Sequence, residues 1–131
     1  MENDCMKHGA FGWFELMTSD TEGAKRFYAD LFGWEYEDMP MGPGSTYTVV
    51  KAGGKAVAGM MAQPDECKGM PPSWDIYITV DDVDATAAKV ESSGGKVLRP
   101  PCDIPEVGRF AVLEDPQGAV IMAMTYLQRQ T

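Results

Sequence analysis

Residues 13–36 read WFELMTSDTEGAKRFYADLFGWEY, and the fold turns on this stretch. Along residues 11–18, Phe14 and Leu16 fall on one side of an extended chain, and Trp13, Glu15 and Met17 on the other. That is the period-two pattern of a strand with one face on a packed layer. Ser19-Asp20-Thr21-Glu22 then reads as a helix start: either Ser19 or Asp20 can cap, and Ser19 with Glu22 has capping-box spacing. Ala24, Phe27, Tyr28, Leu31 and Phe32 recur at helical spacing. Phe27, Tyr28, Leu31 and Phe32 are assigned to the core. Gly33 stops the helix as a C′ glycine, and Trp34-Glu35-Tyr36 starts a second extended piece.

Working outward, residues 40–46 read as a loop, 47–51 as a strand, Gly53-Gly54 as a turn and 55–61 as a strand. Residues 63–73 are rich in turn formers and read as a linker. The order then returns. Residues 74–80, WDIYITV, alternate again. Asp81-Asp82-Val83-Asp84 opens a helix that runs to Gly94-Gly95. Residues 96–99 are extended, 100–108 a loop and 109–114 a strand. Asp115-Pro116-Gln117-Gly118 is a turn signature, and 119–126 close as a strand. An offset of 62 places Asp20 on Asp82 and Gly33 on Gly95. The chain is thus a doubled βαβββ, a repeat of element order rather than of residues.

The chain has 131 residues and a net charge of -9, one domain's worth of sequence with an acidic balance. That charge argues against nucleic acid and against anionic membrane surfaces as partners. Three cysteines, Cys5, Cys67 and Cys102, have neither an even count nor metal-ligand spacing, which suggests a reducing compartment. The N-terminal stretch lacks the apolar core of a signal peptide, and no apolar run approaches the length of a membrane helix. The expected location is the cytoplasm.

Three segments together resemble the vicinal oxygen chelate superfamily, which includes glyoxalases, bleomycin resistance proteins and extradiol dioxygenases. They are residues 13–36 with their D-x-E-x-A-x-x-FY-x-x-LFGW run, WDIYITVDDVDATAAKVESSGGKV at 74–97, and GRFAVLEDPQGAVIMAM at 108–124. The resemblance spans residues 10–126 and is closest to the glyoxalase-related subgroup. It implies an α+β fold in which two βαβββ modules form an open half-barrel, with one helix backing each sheet. The boundaries would be residues 10–62 and 74–126 within a single domain, 1–131. The superfamily's habit of dimerising implies a homodimer.

The resemblance also implies a divalent metal held by two His or Gln and two Glu. Carried over by spacing, those positions fall on Trp13, Asp75, Met122 and either Gly59 or Met60. Only Asp75 among them supplies an oxygen ligand. The usual metal site is therefore not expected, and no cofactor is assigned. Glu15 shares parity with Trp13, so Glu15 and Asp75 could hold a cation in an atypical way or act as a metal-free acid/base pair. Alternatively, Glu15 bonds a backbone group or a partner chain. The residues left to line a cavity are Trp13, Trp74, Tyr77, Met122 and Met124. Arg109 is a candidate clamp for an anion, or a surface ion pair. The leading expectation is a protein that binds a small apolar or aromatic molecule. A metal-dependent lyase, isomerase or dioxygenase and a metal-free acid/base enzyme are the alternatives.

Overall fold

The computed structural model describes residues 6–40, 46–63, 71–104 and 107–127. Cys5, Cys67 and most of the expected linker lie outside the described residues. The elements follow the doubled order. First come β1 (Phe11–Thr18), α1 (Thr21–Phe32), β2 (Glu35–Pro40), β3 (Thr46–Ala52) and β4 (Lys55–Ala62). Then come β5 (Ser73–Thr79), α2 (Val83–Val90), β6 (Lys96–Ile104), β7 (Gly108–Glu114) and β8 (Val120–Tyr126). The fold is α+β and built of two βαβββ modules.

Two compact units form. One spans Trp13–Asp75, and the other joins the chain up to Gly12 with the chain from Ile76 onward. In the first, the strand order is β2-β3-β4-β1, with β1 parallel to β4 and the other pairs antiparallel. In the second it is β6-β7-β8-β5, with β5 parallel to β8. His8, Gly9 and Ala10 belong to this second unit. The Gly9 N–H donates to the Thr79 carbonyl at 2.7 Å, the Thr79 N–H donates to the Ala10 carbonyl at 2.8 Å, and the Asp81 N–H donates to His8 Nδ1 at 2.9 Å.

The helix starts are set by aspartates. Asp20 accepts from the Gly23 N–H at 2.9 Å, so Asp20 rather than Ser19 is the cap, and no Ser19–Glu22 box forms. Asp82 accepts from the N–H groups of Asp84 and Ala85. These caps satisfy N–H groups that a first helical turn leaves without partners. Gly33 takes φ +73° at the end of α1, which a residue with a Cβ adopts only at a cost. In the DPQG turn, the Asp115 carboxylate accepts from the N–H groups of Gln117 and Ala119.

One face of each sheet carries the core. In the first unit Leu16, Val50, Ala58 and Met60 pack with Ala24 and Tyr28 of α1. In the second Val80, Val83, Ala111 and Ala123 pack together, joined by Ile78 and Leu113.

Two expectations are corrected here. Phe27, Leu31 and Phe32 are not core: they are 58–59% exposed, and α1 has no fully buried residue. Ala24 and Tyr28 take the line that faces the sheet. Phe27 lies about 100° round the helix from Tyr28, on a flank that the four strands do not cover. The rings pack on Tyr28 instead, with Phe27 edge-on at 5.0 Å and Phe32 stacked at 5.9 Å. Phe14 is likewise 40% exposed, while Leu16 beyond it is buried. The second correction is that residues 100–104 are strand, not loop. Pro100 and Pro101 are tolerated because β6 is the last strand of its order, and its register shifts on both sides of Arg99.

Met60 is fully enclosed, whereas Met39 is 46% exposed. Met60→Ala should therefore destabilise the fold by about 2–5 kcal/mol and Met39→Ala by no more than about 0.5 kcal/mol, as read from urea midpoints.

Candidate functional site

Alternation along each strand leaves every sheet with a second, helix-free face. In the first unit the register pairs Glu15 with Gly59 and Leu16 with Met60. Leu16 and Met60 face the helix-side core, so Glu15 and Gly59 face the other way. Trp13 joins them by parity, and Tyr47 arrives from β3. The Trp13 Nε1–H donates to the Tyr47 hydroxyl at 2.8 Å, and that hydroxyl donates to Glu15 Oε1 at 3.0 Å. Glu15 is only 7% exposed, and a carboxylate so buried needs donors of this kind.

Gly59 explains how Tyr47 reaches its place. A Cβ built at Gly59 would overlap the Tyr47 phenol, whose atoms are the nearest to it. A glycine inside a strand marks such a close approach. Tyr47 was not singled out in the sequence. Gly59 inside β4 was the available signal for it.

The register of the second unit places Tyr77 beside Met122, Thr79 beside Met124, Phe110 beside Met124 and Val112 beside Met122. These residues share the helix-free face. Tyr77, Met122 and Met124 are buried, while Phe110 and Val112 are half-buried. The first three therefore form a floor, and the accessible part of the face lies over β7 and β6. The Tyr77 and Phe110 rings are 6.2 Å apart.

Two expected ligand residues are placed elsewhere. Trp74 donates from Nε1 to the Tyr28 hydroxyl at 3.1 Å and meets the Tyr28 and Trp34 rings edge-on, so it belongs to the aromatic cluster on α1. Arg109 is on the α2 side. It forks onto Asp84, with Nε to Oδ2 at 2.8 Å and a second bond at 3.0 Å, and it reaches Asp103 at 3.1 Å. These carboxylates, Asp84 first, hold the guanidinium still more firmly protonated, and the Arg109 guanidinium in turn lowers the Asp84 carboxyl. Met60 packs on the α1 side, apart from Met122 and Met124.

The donor set does not fit the metal that the fold implies. The Gly59 position is taken up by the Tyr47 phenol, the Trp13 nitrogen is a donor already bonded to Tyr47, and Met122 offers a thioether on an apolar floor. No group of three or more His, Cys, Asp or Glu side chains that could hold a metal ion occurs among the described residues. A groove of about 510 Å³ lies on the α2 side, lined by residues such as Val80, Leu113 and Ile121 and by the cap residues Asp82 and Asp115. The carboxylates of Asp82 and Asp115 are already bonded to a helix start and a turn respectively.

The profile of the Glyoxalase/Bleomycin resistance protein/Dioxygenase superfamily matches residues 10–123. The chain belongs to this superfamily. Among curated members it is 44% identical over 117 residues to a protein of Mycobacterium tuberculosis (strain CDC 1551 / Oshkosh) named for a glyoxylase, CFP32, covering 88% of this chain and 45% of that one. It is 34% identical over 123 residues to the anthracycline biosynthesis protein DnrV of Streptomyces peucetius, covering 85% and 45%. The chain thus spans about half the length of these superfamily relatives. Among solved structures it is similar to methylmalonyl-CoA epimerase from Mycobacterium tuberculosis, with TM-score 0.63, 16% identity and coverage of 98% and 97%. It also matches protein BH1468 from Bacillus halodurans C-125, with TM-score 0.71, 12% identity and coverage of 95% and 99%. At such identities these structures speak to the superfamily fold alone.

Asp75, at the start of β5, is half-buried. Burial raises its carboxyl above the ordinary carboxylate range, opposed by the Ser73 hydroxyl, which donates at 3.1 Å. A raised folded-state value means that the charged form is penalised, so this contribution to stability falls as pH rises from about 4 through the raised value. Asp75→Asn should raise the melting temperature at pH 7, and the gain should vanish below pH 4.

The Tyr47–Gly59 fit is testable by a double-mutant cycle. Gly59→Ala should cost about 1–3 kcal/mol in the native background and much less beside Tyr47→Ala, as measured by denaturant unfolding.

Proposed function

We propose that this superfamily member binds a small apolar or aromatic molecule on the helix-free face of its second sheet, by packing rather than through the usual metal. The observation that carries this reading is the lining itself. Tyr77, Met122 and Met124 form an apolar floor, and Phe110 and Val112 stay partly accessible above it. Thioethers adapt to irregular apolar shapes, and aromatic rings stack on planar ones. The name of DnrV ties that relative to anthracycline biosynthesis, which is chemistry of planar aromatic molecules.

Glu15 supports a second reading, a metal-free acid/base reaction. It is a buried carboxylate whose proton partner is the Tyr47 hydroxyl, and Asp75 is the other carboxylate of this proposal. Such an activity would survive a chelator and be lost in both Glu15→Gln and Asp75→Asn.

The proposal extends to a second copy of the chain as partner. Phe27 and Leu31 stand exposed beside Arg26 and Asp30, opposite charges one helical turn apart that become complementary when two copies meet antiparallel. A cytoplasmic location fits the free thiol of Cys102. No helix among the described residues is long and apolar enough to cross a membrane.

The test is a titration with the uncharged fluorophore N-phenyl-1-naphthylamine. The native protein should bind it with a fluorescence gain, and Phe110→Ala should weaken binding by about tenfold. No fluorescence gain with the native protein would refute the binding reading.

A further inference from the structure

Arg99 differs in its surroundings from the other arginine described above on this sheet. Arg109 has two carboxylates on its guanidinium. The Arg99 guanidinium lies over the Phe110 ring, with Cζ 5.6 Å from the centroid. It has no carboxylate partner among the described residues, although acids outnumber bases 20 to 11 in the chain.

Its position is built by the backbone. Arg99 pairs with Val112 across the β6–β7 ladder, and Val112 lies on the helix-free face with Met122. The ladder slips between Val97 and Arg99 and again between Arg99 and Cys102. Pro100 and Pro101, which have no N–H to give, sit inside the second slip. Irregularities of this kind re-aim a side chain relative to a regular strand. Here they coincide with a guanidinium laid on the ring that edges the apolar floor. A cation over a ring face keeps its N–H donors at the rim, where they can form a fork to an oxyanion.

We propose that Arg99 is an anion anchor and that the ligand of this face is a planar apolar acid, its ring system over Val112 and against the edge of Phe110, and its carboxylate or like oxyanion on the Arg99 guanidinium. This rests on the binding reading above and adds the charge of the ligand. The acidic chain as a whole repels such a molecule, so a local cation beside the apolar floor is what would admit it.

The experiment uses two probes with the same ring system, 8-anilinonaphthalene-1-sulfonate and the uncharged N-phenyl-1-naphthylamine. Each is titrated against the native protein, Arg99→Gln, Arg99→Lys and Lys89→Gln, with circular dichroism confirming that each variant is folded. Lys89→Gln removes the same charge from α2. Arg99→Gln should weaken the sulfonate by about tenfold or more and leave the uncharged probe unchanged. Arg99→Lys should fall between native and Arg99→Gln, and Lys89→Gln should change neither probe. Equal weakening of both probes by Arg99→Gln, or equal effects of Arg99→Gln and Lys89→Gln on the sulfonate, would overturn the anchor while leaving the binding reading intact. Failure of the native protein to bind either probe would overturn both.

Discussion

A four-stranded sheet has two faces, and each module of this chain supplies one helix. That inequality governs the molecule. The helix-covered face takes the regular apolar core, Leu16, Val50 and Met60 in one unit and Val80, Ala111 and Ala123 in the other. Period-two alternation then commits every neighbouring residue to the face that has no helix. Glu15, Tyr47 and Gly59 lie there in the first unit, and Tyr77, Phe110 and Met122 in the second. The candidate chemistry is a by-product of how the core is satisfied, which is why it collects on strands rather than on the helices.

The two helix-free faces differ in character. The first centres on a buried acid supported by a phenol and an indole N–H. The second is sulfur and aromatic, with a guanidinium at its edge. Because Tyr47 crosses Gly59, the space where the superfamily resemblance puts a carboxylate ligand holds a ring instead. A polar relay has replaced a ligand position without disturbing the strand that carries it.

Much of the framework was legible in the sequence because it depends on local chemistry. Asp20, Asp82, Gly33 and the DPQG turn act within a few residues of themselves, and each stands where its local signature puts it. Parity along β1 and β5 correctly separated Glu15 from Leu16 and Tyr77 from Ile78. What eluded the sequence depends on distance along the chain. Tyr47 is 32 residues from Glu15, and nothing local says that they meet. Trp74 looked like a cavity residue until its Nε1–H found Tyr28, 46 residues away. The helical stripe on α1 promised four core residues, Phe27, Tyr28, Leu31 and Phe32, but only the Ala24–Tyr28 line meets the sheet. Pro100-Pro101 read as a loop because proline excludes a central strand, and β6 is not central.

The backbone bonds of Gly9 and Ala10 to Thr79 bear on how the chain reaches this state. They join residues roughly 70 positions apart and sew Gly9 and Ala10 into the unit built from residue 76 onward. Closing so large a loop costs entropy before any contact repays it, which raises contact order and slows folding. A ribosome that has released only the first module has exposed His8–Ala10 with no Thr79 to receive them. The turn at His8–Ala10 can therefore dock only after β5 emerges, and severing the chain between the modules would leave the second unit without it.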